Sequence, residues 1–185
     1  MIVQETERQL IGAIQAGDEE ALRRLYERFS NYTLAVVRRY VPERADALDI
    51  VQDGFVSILT RIGSFEYRGE GSLKAWVTRI VTNRALDWLR AHEQLTFTDQ
   101  MPDETEENED DAAVEEVPPD ILNTMIGRLP TKYRVIVNLF AFEQLSHKDI
   151  AQRLGITERT SVSQFSRAKR RLAEMIKEYL NSQRI

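Results

Sequence analysis

The chain has 185 residues, 42% hydrophobic and 30% charged, with a net charge of -5, two histidines and no cysteine, the balance of a soluble globular protein of one or two small domains. Disulfides are excluded, and a structural zinc site or a thiol nucleophile has almost nothing to be built from. Neither metal nor other cofactor is expected, nor an enzyme, since no pair of base and nucleophile and no phosphate-cradling glycine loop can be named.

Met1 to Leu10 carries Glu5 and Glu7 and does not read as a signal peptide, and no apolar run approaches the roughly 18 residues of a membrane span. A cytoplasmic protein without membrane insertion is expected. Few prolines and glycines, and long stretches of Ala, Leu, Glu, Arg and Gln, predict an all-α fold. Gly17 and Asp18 end a first short helix and cap a second, whose stripe of Leu22, Leu25, Tyr26 and Phe29 continues through Val36, Val37 and Tyr40 to Pro42.

The next helix repeats Leu48, Val51, Phe55, Ile58, Leu59 and Ile62 at steps of three and four, with Asp46, Asp49 and Asp53 outside and Gln52 near the boundary. Carboxylates four apart are commonly just a polar face, and no phosphate loop or histidine accompanies these, so a docking surface for a basic partner suits them better than magnesium. Gly54 is a weak helix former, about 1 kcal/mol worse than alanine, and marks close packing.

SFEYRGEG, residues 64–71, has the glycines and aromatics of a loop, and Ser72 opens a helix through about Ala91. On that helix Trp76, Val77, Ile80, Val81 and Trp88 share an apolar face, read as core, while Arg79, Asn83, Asp87 and Arg90 gather on the polar side. Arg84 projects from the middle of the apolar arc, which the sequence does not explain. A glycine-bearing aromatic loop beside an Arg/Asn face has what capture of an unpaired base requires, a π surface and edge-directed hydrogen bonds.

The charge is partitioned. Residues 1–98 hold 13 Lys+Arg against 14 Asp+Glu, residues 99–116 none against 10, and residues 117–185 hold 12 against 6. The acidic run cannot repay the entropy of ordering and reads as a flexible linker. It is either a solvated spacer or an imitation of nucleic acid for some basic channel.

After Pro119, Leu122, Met125, Ile126 and Leu129 recur at helical spacing, and Pro130 precedes a helix carrying Tyr133, Ile136, Val137 and Phe140. Ser146, with Asp149 three residues on, caps a helix ending at Leu154; Gly155 makes a left-handed turn and Thr157 caps a last helix running to about Leu180. Short helix, glycine turn and longer helix form a helix-turn-helix pattern. In the last helix Ser161, Phe165, Ala168, Leu172, Met175, Ile176 and Tyr179 face the core, while Arg159, Ser163, Ser166, Arg167 and Arg170 gather opposite. Arginines interspersed with small hydrogen-bonding groups suit phosphates and major-groove base edges, so DNA binding is the better reading.

These residues carry a family resemblance over nearly the whole chain. DALDIVQDGFVSIL resembles the region 2.2 helix of a bacterial RNA polymerase sigma factor of the extracytoplasmic function (ECF) group, the minimal kind with regions 2 and 4 only, and GEGSLKAWVTRIVTNRALDWLR resembles its regions 2.3 and 2.4. LPTKYRVIVNLFAFEQLSHKDIAQRLGI followed by TERTSVSQFSRAKRRL resembles region 4. The resemblance implies a region 2 domain over 1–95, an acidic linker over 96–118 and a region 4 domain over 119–185. Asp49, Gln52 and Asp53 would dock on the clamp helices of the polymerase β′ subunit. Phe65, Tyr67, Arg68 and Ser72, with Arg79 and Asn83, would read and open the minus 10 element. Arg159, Thr160, Ser163, Gln164, Arg167 and Arg170 would read the minus 35 element as duplex.

Partners implied are core RNA polymerase, with region 4 on the β flap, promoter DNA and an anti-sigma factor; the free chain would be a monomer. Where many members place Val and then Lys or Arg before the recognition-helix serine, this chain has Ser161 and Val162, which puts a serine toward the core and the valine on the flank. Two rivals remain at this point: a dimeric regulator reading a palindrome, and an adaptor whose bundles bind only proteins.

Overall fold

The computed structural model describes residues 5–93, 95, 97 and 114–183. Among them are eight α-helices and no strand. The chain divides into two compact units, Met1–His92 and Glu93–Ile185. No helix among the described residues is long and apolar enough to cross a membrane.

In the first unit α1 (Glu7–Gln15) is closed by a reciprocal capping box between Thr6 and Gln9. Gly17, at φ +87°, turns the chain, and the Asp18 carboxylate accepts N–H bonds from Glu20 and Ala21 to start α2 (Glu19–Tyr40). Helix α3 (Arg44–Arg61) and helix α4 (Ser72–His92) complete the bundle around Leu25, Val37, Tyr40, Ile58, Leu73, Val81 and Leu89, all buried.

The buried face of α3 is rotated from the one its large apolar residues suggest. Ala47, Ile50, Val51, Gly54, Phe55, Ser57 and Ile58 are buried, whereas Leu48 and Leu59 are exposed and Val56 is 65% exposed. The cause is close helix approach: a Cβ on Gly54 would stand 2.9 Å from Val81 Cγ1 of α4, so the small residues face inward. Tyr26 likewise turns out to be exposed, its ring resting on Phe55 with centroids 4.7 Å apart. Arg84 lies on the outside of α4 and donates to Ser57 Oγ of α3 at 2.7 Å, which accounts for a cation that looked misplaced.

The second unit takes in the end of the expected linker. Val114–Glu116 form a single 3-10 turn, and Val117 is buried against Met125 and Ile176 because it covers apolar surface between the first and last helices of the unit. The rest of the acidic run, residues 98–113, lies outside the described residues. Helix α5 (Pro119–Arg128) begins with proline, whose missing N–H costs nothing there. Helix α6 (Thr131–Val137) continues into a π-helical turn, Asn138–Phe142. The buried Arg134 donates to Gly127 O and Leu129 O, both at 3.2 Å, and so closes the end of α5.

Helix α7 (His147–Leu154) is capped by Ser146, whose Oγ accepts the Asp149 N–H, and stops at Gly155 in the left-handed region. Helix α8 (Glu158–Ser182) is capped by Thr157. The core of this unit gathers Ile126, Leu129, Val137 and Ala168, with Leu122, Tyr133, Phe165, Leu172 and Met175 packed on it.

Candidate nucleic-acid and docking surfaces

Three surfaces emerge from this framework, two on the first unit and one on the second. On α3 the exposed residues Leu48, Gln52, Val56 and Leu59 form one stripe by helical spacing, with Asp49 and Asp53, also exposed, along its flank. The expected carboxylates are therefore joined by an apolar strip of Leu48, Val56 and Leu59, of which periodicity had assigned Leu48 and Leu59 to the core. Among the described residues, no group of three or more histidine or carboxylate side chains is arranged to hold a metal ion. Wet aliphatic groups beside acids have the chemistry of a protein-docking surface, since a basic partner can meet the charges while covering the hydrocarbon.

The second surface is the loop between α3 and α4 together with the exposed side of α4. Phe65 and Tyr67 are half-buried. The Phe65 ring tilts against Trp76, centroids 5.0 Å apart, and the Tyr67 hydroxyl donates to Glu70 Oε2 at 3.2 Å. Arg68 is exposed, its guanidinium 3.4 Å from Glu66, and its N–H is held by Ser72 Oγ at 3.2 Å. Gly69 and Gly71, at φ +114° and +89°, let the chain reverse into α4. Arg79 and Asn83 are exposed and fall on the same stripe of α4 as Trp76. An aromatic pair, a guanidinium and an amide are thus set along one edge.

The third surface is the outer face of α8. Arg159 and Ser166 are exposed, and Ser163, Arg167 and Arg170 half-buried, on the side of the helix away from the core. Two expected members do not join them. Thr160 is 3% and Gln164 1% exposed, because both lie on the arc that packs against the unit's other helices. The Thr160 hydroxyl pairs with Thr157 Oγ1 at 2.7 Å and serves the helix start. Val162, by contrast, is exposed beside Ser163.

Ser161 is fully buried and its Oγ sits 3.0 Å from His147 Nδ1, whose ring stacks on Phe140 with centroids 4.7 Å apart. That bond ties α7 to α8 and explains a serine on the inner face. Arg153 of α7 pairs with Glu143 at 2.9 Å, a half-buried contact that fixes the same helix from its other end. Helix α7 is thus tied to α8 near its start and to the end of the π-helical turn near its finish.

The pattern of sigma-70 region 2 matches residues 25–94, and that of sigma-70 region 4 matches residues 120–172. The ECF RNA polymerase sigma factor SigM of Mycobacterium tuberculosis is 32% identical over 179 residues, spanning 94% of this chain and 86% of the relative. The ECF RNA polymerase sigma-E factor of Haemophilus influenzae is 29% identical over 188 residues, spanning 95% and 98%. The structure of CnrH in complex with the cytosolic domain of CnrY superimposes at a TM-score of 0.53 with 21% identity, covering 93% of this chain and 97% of that one. The sigma factor RpoE, in complex with the anti-sigma factor NepR from Bartonella quintana, gives 0.53 with 20% identity, covering 84% and 96%. At these identities the two structures speak for the fold alone.

Proposed function

The chain belongs to the sigma-70 family, as an ECF sigma factor built of regions 2 and 4, and from that premise we propose how its surfaces divide the work. As such a factor it binds core RNA polymerase and directs promoter-specific transcription initiation. We assign residues 1–95 to region 2, 96–118 to the linker, whose end is anchored on region 4 through Val117, and 119–185 to region 4. Region 2 docks on the polymerase β′ clamp helices through Asp49, Gln52 and Asp53, and to these we add Leu48, Val56 and Leu59. It holds the minus 10 strand with Phe65, Tyr67, Arg68, Ser72, Arg79 and Asn83. Region 4, seated on the β flap, reads the minus 35 duplex with Arg159, Ser163, Arg167 and Arg170, while Thr160 and Gln164 serve the core.

The observation that carries this reading is the apolar and acidic stripe of α3, left wet in the free chain. Unpairing a base costs a few kcal/mol, which a small loop offsets only when a bound enzyme has already supplied orientation. The factor has no catalytic task in this account and works in the cytoplasm with the polymerase. A relative of similar fold is held by an anti-sigma factor, and we extend that class of partner to this chain.

Run-off transcription tests the reading. Adding the chain to core polymerase should direct initiation at a distinct promoter, and failure to form a stable complex with core would defeat it. A dimeric regulator would instead bind its operator tightly without polymerase.

A further inference from the structure

We propose that α1 is a splint for the loop over residues 63–71, gripping both ends through Glu7 and Gln15 and so holding it ready for the unpaired strand. The proposal rests on the reading of that loop as the strand-capturing element. Helix α1 precedes the matched region 2 pattern, which begins at residue 25.

At the loop's exit the Glu7 carboxylate, in a residue 3% exposed, accepts three backbone N–H bonds from the start of α4. Glu7 Oε2 takes those of Gly71 at 2.9 Å and Leu73 at 3.0 Å, and Oε1 that of Lys74 at 3.1 Å. A carboxylate at a helix N-terminus is favoured by the orphan donors and by the helix dipole. Here it comes from 64 residues upstream of Gly71. The contact is reciprocal, because Glu70 Oε1 accepts the Glu7 N–H at 3.3 Å, and the other oxygen of Glu70 holds the Tyr67 hydroxyl.

At the entry the Gln15 side-chain amide donates to Phe65 O at 3.0 Å and to Gly63 O at 3.4 Å. Glu7 and Gln15 are about 12 Å apart along the helix axis. Leu10 and Ile11, both buried between them, fasten α1 to the bundle. The loop is thus pinned at two points by one rigid rod, with Phe65 and Tyr67 in the span. Ordering such a loop beforehand removes that cost from strand binding.

The full chain in complex with core polymerase tests this. The probe is a pre-melted copy of the promoter that the wild-type complex selects from random duplexes, and the readout is its dissociation rate. Glu7→Ala and Gln15→Ala should each release the melted strand at least about fivefold faster, as loss of a charge-assisted cap or of a loop anchor implies. Core affinity should stay within about twofold, and amide exchange at Gly71, Leu73 and Lys74 should accelerate in Glu7→Ala. Gln15 is exposed, so Gln15→Ala keeps the test valid if the buried variant folds poorly. Release at the wild-type rate by Gln15→Ala and by folded Glu7→Ala, with Phe65→Ala and Tyr67→Ala releasing fast, would overturn the splint alone. Unchanged release by Phe65→Ala and Tyr67→Ala would overturn the strand-capture reading and the splint with it.

Discussion

Val81 Cγ1 lies 2.9 Å from the place a Cβ on Gly54 would occupy, and Val81 is fully buried on a helix that holds its branched side chain in one rotamer. Gly54→Ala gains about 1 kcal/mol of helix propensity but meets an overpacking cost of about 1–3 kcal/mol. The net effect should be destabilising by about 1 kcal/mol, read as a lower melting temperature. Adding Val81→Ala should then cost less in the Gly54→Ala background than in the wild type. On α8 two neighbours should separate cleanly. Arg167→Ala should weaken minus 35 duplex binding by about 1–3 kcal/mol if it meets a base edge, or lower the salt slope by about 1 if it meets a phosphate. Gln164→Ala, being buried, should lower thermal stability and leave base preference unchanged, as a selection from random duplexes would reveal.

At the level of helices, α3 presents exposed aliphatic groups that its own bundle leaves wet. Val56→Lys should leave the melting temperature within about 0.5 kcal/mol of wild type, as for other surface substitutions. The same change should cost at least about tenfold in affinity for core polymerase, measured by competition, since it puts a cation and a long chain at the centre of the stripe. Helix boundaries were legible in the sequence wherever a local chemical signal marks them: Asp18, Ser146 and Thr157 accept their helices' N–H groups, and Gly155 takes the left-handed turn. The inward face of α3 was legible in part: Val51, Phe55, Ile58 and, just past its end, Ile62 are buried as expected, whereas Leu48 and Leu59 are exposed. Periodicity weighs large apolar residues, whereas the approach of α4 selects Ala47, Gly54 and Ser57, which carry little hydropathy.

Across the whole molecule charge is segregated, with near balance in residues 1–98, ten carboxylates and no cation in 99–116, and twice as many cations as anions in 117–185. Replacing the acids between residues 99 and 111 by Asn and Gln should raise non-specific duplex binding by the free chain, roughly tenfold at low salt. Filter binding across a salt series measures it. The two-unit order and the basic outer face of α8 could be read from composition and spacing. Gln164, three residues after Ser161 and four before Ala168, could have been told by spacing from a surface group, whereas Thr160 lies further off that arc and its polar side chain gave no sign of burial. Glu7 left no signal either: its partners lie far along the chain and are backbone groups.

The grip of α1 on the start of α4 also bears on how far the first unit can be trimmed. A fragment beginning at residue 25, where the recognisable pattern starts, would forfeit Glu7, Gln15 and the buried pair Leu10 and Ile11 at once. It would keep every residue assigned to polymerase and promoter yet lose the scaffolding beneath them. Deletion mapping would then score those leading residues as dispensable for attachment and indispensable for opening.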